Sequence, residues 1–143
     1  PVNGSWLLIL FIVLTKFSDL GAYVTGSLIG KRKMIPKVSP GKTWEGFCGA
    51  IVFSALFGFL LVNMFPKPFE YIPSYHVLIL GALLGAFAVL GDLVESLLKR
   101  EAQVKDSGQF IPGIGGALDL IDSLLFNAPL MYVYLHLFVQ NRT

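Results

Sequence analysis

The sequence predicts an all-α, polytopic membrane protein, with about four transmembrane helices and a polar site at one face of the bilayer. Three observations carry that prediction. Of 143 residues, 55% are hydrophobic and only 14% are charged, with a mean hydropathy of +0.70; soluble domains carry roughly one quarter charged residues. The apolar residues are gathered into four long stretches, Trp6 to Ile29, Trp44 to Phe65, Val77 to Leu98 and Leu118 to Val139. The charges lie mainly at the ends of these stretches and in the connections between them.

Each stretch approaches the ~20 residues needed to cross a ~30 Å hydrocarbon core. Lipid offers nothing to bond exposed peptide groups, so a span without sheet partners must be helical. The first stretch is interrupted by Lys16 and Asp19, and the second is free of charge after Glu45. The third carries Asp92 and Glu95 near its end, and the fourth Asp119 and Asp122 at its start. Gly26-xxx-Gly30 and Gly81-xxx-Gly85 are small residues at helical spacing, and close helix packing is the simplest reading of both. Pro129 falls inside the last stretch, with Asn127 nearby as a polar group that could compensate for it.

The connections set the orientation. Lys31, Arg32, Lys33, Lys37 and Lys42 lie on the first, and Lys99, Arg100 and Lys105 on the third; only Lys67 and Arg142 lie on the opposite side. The excess of Lys and Arg predicts that the first and third connections face the cytoplasm. The third is rich in glycine and holds Pro112, so it is not a continuous helix. The opening Pro1-Val2-Asn3 has no initiator Met, which predicts that residues 1–143 are one region of a longer chain. Cys48 is the single cysteine, which excludes a disulfide framework and a cysteine metal site.

Acids are costly inside a membrane, ~2.5–3.5 kcal/mol at a helix centre, so those kept there usually face a polar cavity. Asp19, Asp92, Glu95, Glu101, Asp106, Asp119 and Asp122 all fall in or near the cytoplasmic half, with Glu45 close by. Asp92 and Glu95 share a helix face, as do Asp119 and Asp122, and two such pairs could form an oxygen-rich pocket suited to Mg²⁺. Simpler roles stay open: the helix dipole could favour Asp119 and Asp122, and Glu95 could pair with Lys99 at i,i+4 spacing. Ser39-Pro40-Gly41-Lys42-Thr43-Trp44-Glu45-Gly46 has the make-up of an anion site at a helix start. It is not a P-loop, because the required first glycine is Pro36 and no βαβ context exists. His76 and His136 fall on the side away from the acids, which leaves them as interfacial side chains.

Three blocks carry a family resemblance. The longest runs from Ser96-Leu97-Leu98-Lys99-Arg100-Glu101 through Lys105-Asp106-Ser107-Gly108 and Ile111-Pro112-Gly113 to Gly115-Gly116-Ala117-Leu118-Asp119-Leu120-Ile121-Asp122-Ser123. The others are Asp19-Leu20-Gly21-Ala22-Tyr23 with the Pro36 to Gly46 segment, and Gly91-Asp92-Leu93-Val94-Glu95-Ser96. Together they resemble the phosphatidate cytidylyltransferases (CDP-diacylglycerol synthases), over most of the chain and in order. The family's usual length implies that residues 1–143 are the C-terminal half, a single transmembrane catalytic region. Two positions depart from the pattern: Ile114 stands where the family has His, and Leu120 where it has Arg.

The resemblance implies conversion of CTP and phosphatidate to CDP-diacylglycerol and pyrophosphate, with Mg²⁺ as cofactor. It implies catalytic roles for Lys99, Arg100, Lys105, Asp106, Asp119 and Asp122, with Mg²⁺ held by Asp92, Asp106, Asp119 and Asp122. Asp19, Ser39, Lys42, Thr43 and Glu95 are the expected substrate contacts. The implied partners are CTP, phosphatidate and the lipid bilayer, with no nucleic acid and with a homodimer left open. The implied location is the bacterial inner membrane, with the active site facing the cytoplasm. A CTP-dependent polyprenol kinase and an ion transporter or non-catalytic scaffold are the competing readings. A CDP-alcohol phosphotransferase is disfavoured, because its DG-xx-AR motif is missing.

Overall fold

The structure, a computed structural model, describes the backbone of residues 4–101 and 115–139 and the side chains of residues 4–101 and 123–139. Among the described residues, four helices make up the body: α1 (Gly4–Ile29), α2 (Trp44–Met64), α3 (Ser74–Glu101) and α4 (Gly115–Phe138). The first three are long and apolar enough to cross a membrane, and the described apolar part of α4 is Ser123–Phe138. The shortest of the first three, α2, has 21 residues, which at the α-helical rise covers about 31 Å, one hydrocarbon core. Their outward faces carry Leu8, Ile12, Val52, Leu56, Leu60, Ile79, Leu83 and Phe87, all exposed. Such a surface would be a liability in water and is what lipid requires. The chain is a multi-pass helical membrane protein, as its composition predicts.

Lipid is as apolar as leucine, so close packing and polar contacts must hold these helices together. Helices α1 and α2 meet along a seam of small residues. A Cβ built on Gly21 would stand 2.5 Å from the Gly49 carbonyl oxygen, and one on Gly46 would stand 2.8 Å from that of Ala22. Gly81 and Gly85 do the same for α3, resting on Ala55 and Ala50 of α2. Of the glycine pairs singled out in the sequence, Gly81 and Gly85 are a helix-packing surface, while Gly26 and Gly30, the latter just past the end of α1, lie against Thr43 at the start of α2.

Polar bonds fasten the bundle between the seams. Ser54 Oγ donates to the Leu14 carbonyl at 2.8 Å and Ser18 Oγ to that of Gly85 at 3.3 Å. The amide nitrogen of Asn127, fully buried, donates to Thr15 Oγ1 at 3.3 Å and to the Leu84 carbonyl at 3.2 Å. This corrects the expectation that Asn127 compensates for Pro129: its amide turns outward to α1 and α3 instead.

The first connection holds a feature the all-α prediction did not contain, a short antiparallel hairpin. Strand β1 (Lys33–Ile35) pairs with β2 (Ser39–Thr43), aligning Lys33 with Thr43 and Ile35 with Ser39. The ladder is irregular between these pairs, opposite a stretch with Pro40, which has no N–H to donate. At the other end of the bundle, a 3-10 turn (Lys67–Phe69) buries Phe69 against Trp6. There His76 bonds the Tyr134 hydroxyl at 2.8 Å, so His76 is a buried link between α3 and α4 rather than an interfacial side chain.

Candidate functional site

The helix α2 begins where the hairpin ends, and this junction builds one wall of the site. Thr43 has an extended backbone (φ −126°, ψ 155°), and its hydroxyl oxygen accepts from the Gly46 N–H at 3.1 Å. That is the geometry of an N-cap. Thr43, an expected substrate contact, is buried with its oxygen engaged at the helix start, and it also lines the cleft beside this junction. Glu45, one residue into α2, accepts from the backbone N–H groups of Lys31 and Arg32 at 3.2 Å each. The cap and this clamp fix both ends of the first connection on the same helix.

A cleft of about 230 Å³ opens beside this junction. Its polar wall is formed by Asp19 from α1, Ser39 and Lys42 from β2, and Asp92 from α3, while Tyr23, Phe47 and Val89 supply the apolar side. Four residues separated by as many as 73 positions thus converge, all of them part-buried. The Lys42 ammonium meets the Asp92 carboxylate at 2.5 Å. Asp19 lies 3.5 Å from the Lys16 ammonium and accepts from Ser123 Oγ at 3.3 Å. Through Ser123, α4 is tied to the cleft one residue beyond Asp122.

Other predicted site residues lie further out. Glu95 and Lys99 form an ion pair along α3, the simpler of the two roles the spacing allowed, and neither lines the cleft. Arg100 is exposed and donates its Nε to the Val38 carbonyl at 3.3 Å, joining the end of α3 to the hairpin turn. Lys105 and Asp106 lie outside the described residues, as does Ile114. Asp119 and Asp122 fall on α4, beyond its first turn, and their side chains lie outside the described set. The dipole effect fades after a helix's first turn, which weakens that explanation for keeping two acids there.

Ser123 and Tyr23 belong to the quoted family blocks but were given no site role in the sequence reading. Ser123 was within reach of it: four positions from both Asp119 and Asn127, it shares their helix face. Among the described residues no three acid, histidine or cysteine side chains gather closely enough to hold a metal ion. Asp19 and Asp92 nevertheless put two carboxylates in one cleft. Mg²⁺ is commonly held by one or two carboxylates together with substrate phosphates and water, so this donor set fits it.

Comparison with known proteins agrees with the motifs. The chain is 42% identical over 142 residues to the phosphatidate cytidylyltransferase of Haemophilus influenzae, an alignment covering 97% of this chain and 48% of that protein. It is 48% identical over 123 residues to the enzyme of the same name from Bacillus subtilis, covering 85% of this chain and 44% of that one. The Escherichia coli protein YnbB, whose name gives no activity, is 40% identical over 135 residues, covering 94% of this chain and 44% of its own. The chain thus spans about half the length of the curated relatives it matches. Residues 1–138 match the model of the cytidylyltransferase family, and the chain belongs to that family.

Proposed function

We propose that this chain forms the catalytic membrane region of an enzyme that joins CTP to phosphatidate, giving CDP-diacylglycerol and pyrophosphate. The observation that carries the reading is the cleft itself, where a lysine and two carboxylates from three elements converge at the basic end of a membrane bundle. Both substrates are anions, one held in lipid and one in water, and a cleft at a span end is open to both. The excess of Lys and Arg at this end supports a cytoplasmic orientation in a bacterial inner membrane.

The chemistry asks little of a general base. A phosphate monoester has its second pKa near ~6, so phosphatidate arrives largely as a dianion at neutral pH. One of its oxygens bonds to the α-phosphorus of CTP as the bond from that phosphorus to the bridging oxygen of the β-phosphate breaks, and pyrophosphate leaves. Rate then depends on alignment and on positive charge placed where negative charge develops. Lys42 is the cleft's cation for this task, released from Asp92 to a phosphate oxygen. Ser39 lines the same wall as a hydrogen-bond donor. Asp19 and Asp92, with the acids of α4, would hold Mg²⁺, which when bound neutralises charge on the triphosphate and the leaving pyrophosphate.

The test is turnover by the full natural chain, reconstituted with CTP, phosphatidate and Mg²⁺, alongside its Asp92→Asn variant. Lipid-linked CMP and pyrophosphate in equal amounts, lost in the variant, is the expected result. Phosphate transfer to a lipid alcohol with release of CDP would replace this reading with the kinase one. No product from the natural chain with either acceptor would remove the enzymatic reading altogether.

A further inference from the structure

Among the described cations, apart from Lys67 and Arg100, two groups stand out. Lys16, Lys42 and Lys99 each meet a carboxylate, from Asp19, Asp92 and Glu95 respectively. Lys31, Arg32, Lys33 and Lys37, on the outer edge of the first connection, are exposed, and among the described residues their side chains form no salt bridge or hydrogen bond. Glu45, at the root of that connection, faces Arg32 but directs its carboxylate to backbone N–H groups.

These four cations stand on a preformed edge. The β1–β2 ladder, the Trp44 N–H bond to the Arg32 carbonyl at 2.9 Å and the Arg100 bond to Val38 hold the segment at three points. Beside them the ends of the neighbouring spans expose Leu28, Ile29 and Trp44, and the hairpin exposes Ile35. Exposed cations without a salt bridge, interleaved with exposed apolar side chains at the end of membrane-spanning helices, match the layered chemistry of a headgroup region. The apolar groups meet acyl chains and the cations meet phosphates.

We propose that this outer edge is a docking surface for anionic lipid headgroups, separate from the cleft and continuous with its mouth through Ser39 and Lys42 of the same hairpin. It gathers phosphate-bearing lipids where the cleft opens, whatever reaction the cleft performs. Each cation near an anionic surface contributes an attraction worth about fivefold in association, and salt weakens it.

The test needs no turnover, so its outcome is independent of the proposed reaction. The full natural chain is placed in phosphatidylcholine nanodiscs containing a minority of phosphatidylglycerol, and the lipids retained on extraction are read by native mass spectrometry. Phosphatidylglycerol should be retained preferentially, and less so at high salt. The variant with Lys31→Gln, Arg32→Gln, Lys33→Gln and Lys37→Gln should lose at least about fivefold of that preference, and a variant with arginine at all four positions should keep it. Where the fourfold change prevents folding, Lys37→Gln alone, at the hairpin turn, should show a smaller loss in the same direction. An unchanged preference in the glutamine variants would overturn the proposal. So would complete displacement by inorganic phosphate at matched ionic strength, which would mark a site for free anions instead.

Discussion

The Lys42 ammonium and the Asp92 carboxylate meet at 2.5 Å across 50 positions of sequence, joining a hairpin strand to a membrane helix. Both side chains are part-buried, at 22% and 33% exposure, so water screens the pair only in part. Each group also has a second proposed task, the lysine toward phosphate and the carboxylate toward Mg²⁺. They therefore neutralise each other until substrates arrive.

Lys42→Gln should separate those tasks. Turnover should fall about 100-fold, the scale of losing one preorganised donor at a charge-developing centre. Binding of Mn²⁺ by the substrate-free protein, followed by electron paramagnetic resonance, should tighten by about tenfold because Asp92 loses its cation. Weakened Mn²⁺ binding would contradict the shared use of Asp92.

Ser123→Ala removes the hydroxyl that Asp19 accepts from at 3.3 Å. The carboxylate keeps Lys16, so a partial defect is expected, about tenfold in kcat, the low end of what one hydrogen bond to a charged group is worth. Thermal unfolding in detergent should change little. A loss as deep as that of Asp19→Asn would mean Ser123 itself touches substrate.

The helix cap should be measurable apart from chemistry. Thr43→Val removes the acceptor for the Gly46 N–H and should cost about 1 kcal/mol, while Thr43→Ser should retain most of it. The check is the unfolding midpoint of each variant in the same detergent.

Gly21→Ala and Gly41→Ala should part company. A methyl on Gly21 would press on the Gly49 backbone and on Phe53, whereas one on Gly41 meets nothing within 4 Å. The first should cost about 1–3 kcal/mol by forcing α1 from α2, and the second should leave stability nearly unchanged. Similar midpoints for the two would argue against a tight seam between these helices.

Asn127→Leu should be milder than its burial implies. Interhelical hydrogen bonds in membranes average about 0.6 kcal/mol, and leucine would remove an amide oxygen that has no partner among the described residues. Asn127→Asp should be clearly worse, because a carboxylate there sits at the depth where acids are expensive.

The spans were legible in the sequence because each is a local property. Length, apolar content and the placement of Lys and Arg are read within a single segment. Partnerships were less accessible. Nothing within α4 announces that Asn127 reaches Thr15, 112 positions away, or that Ser123 reaches Asp19, 104 positions away. Those contacts exist only once helix packing has chosen which faces meet. The hairpin was missed for another reason: strands of three and five residues, one holding Pro40 and Gly41, carry no alternating pattern to detect. Glu95 illustrates the reverse case, where the local i,i+4 rule was enough to anticipate its partner.

Thr43 caps α2, ends the β ladder and packs against Gly30, where an added Cβ would come within 2.8 Å of its hydroxyl oxygen. The root of the hairpin therefore has no slack, and Lys42 inherits its position from the rotation of α2 about its own axis. Sliding the α1–α2 seam by one residue would turn that root by about 100° and carry Lys42 away from Asp92. The aim of Lys42 in the cleft is thus calibrated by glycines in the helix seam, and a change in lipid thickness that tilts α2 against α1 would be felt at that lysine.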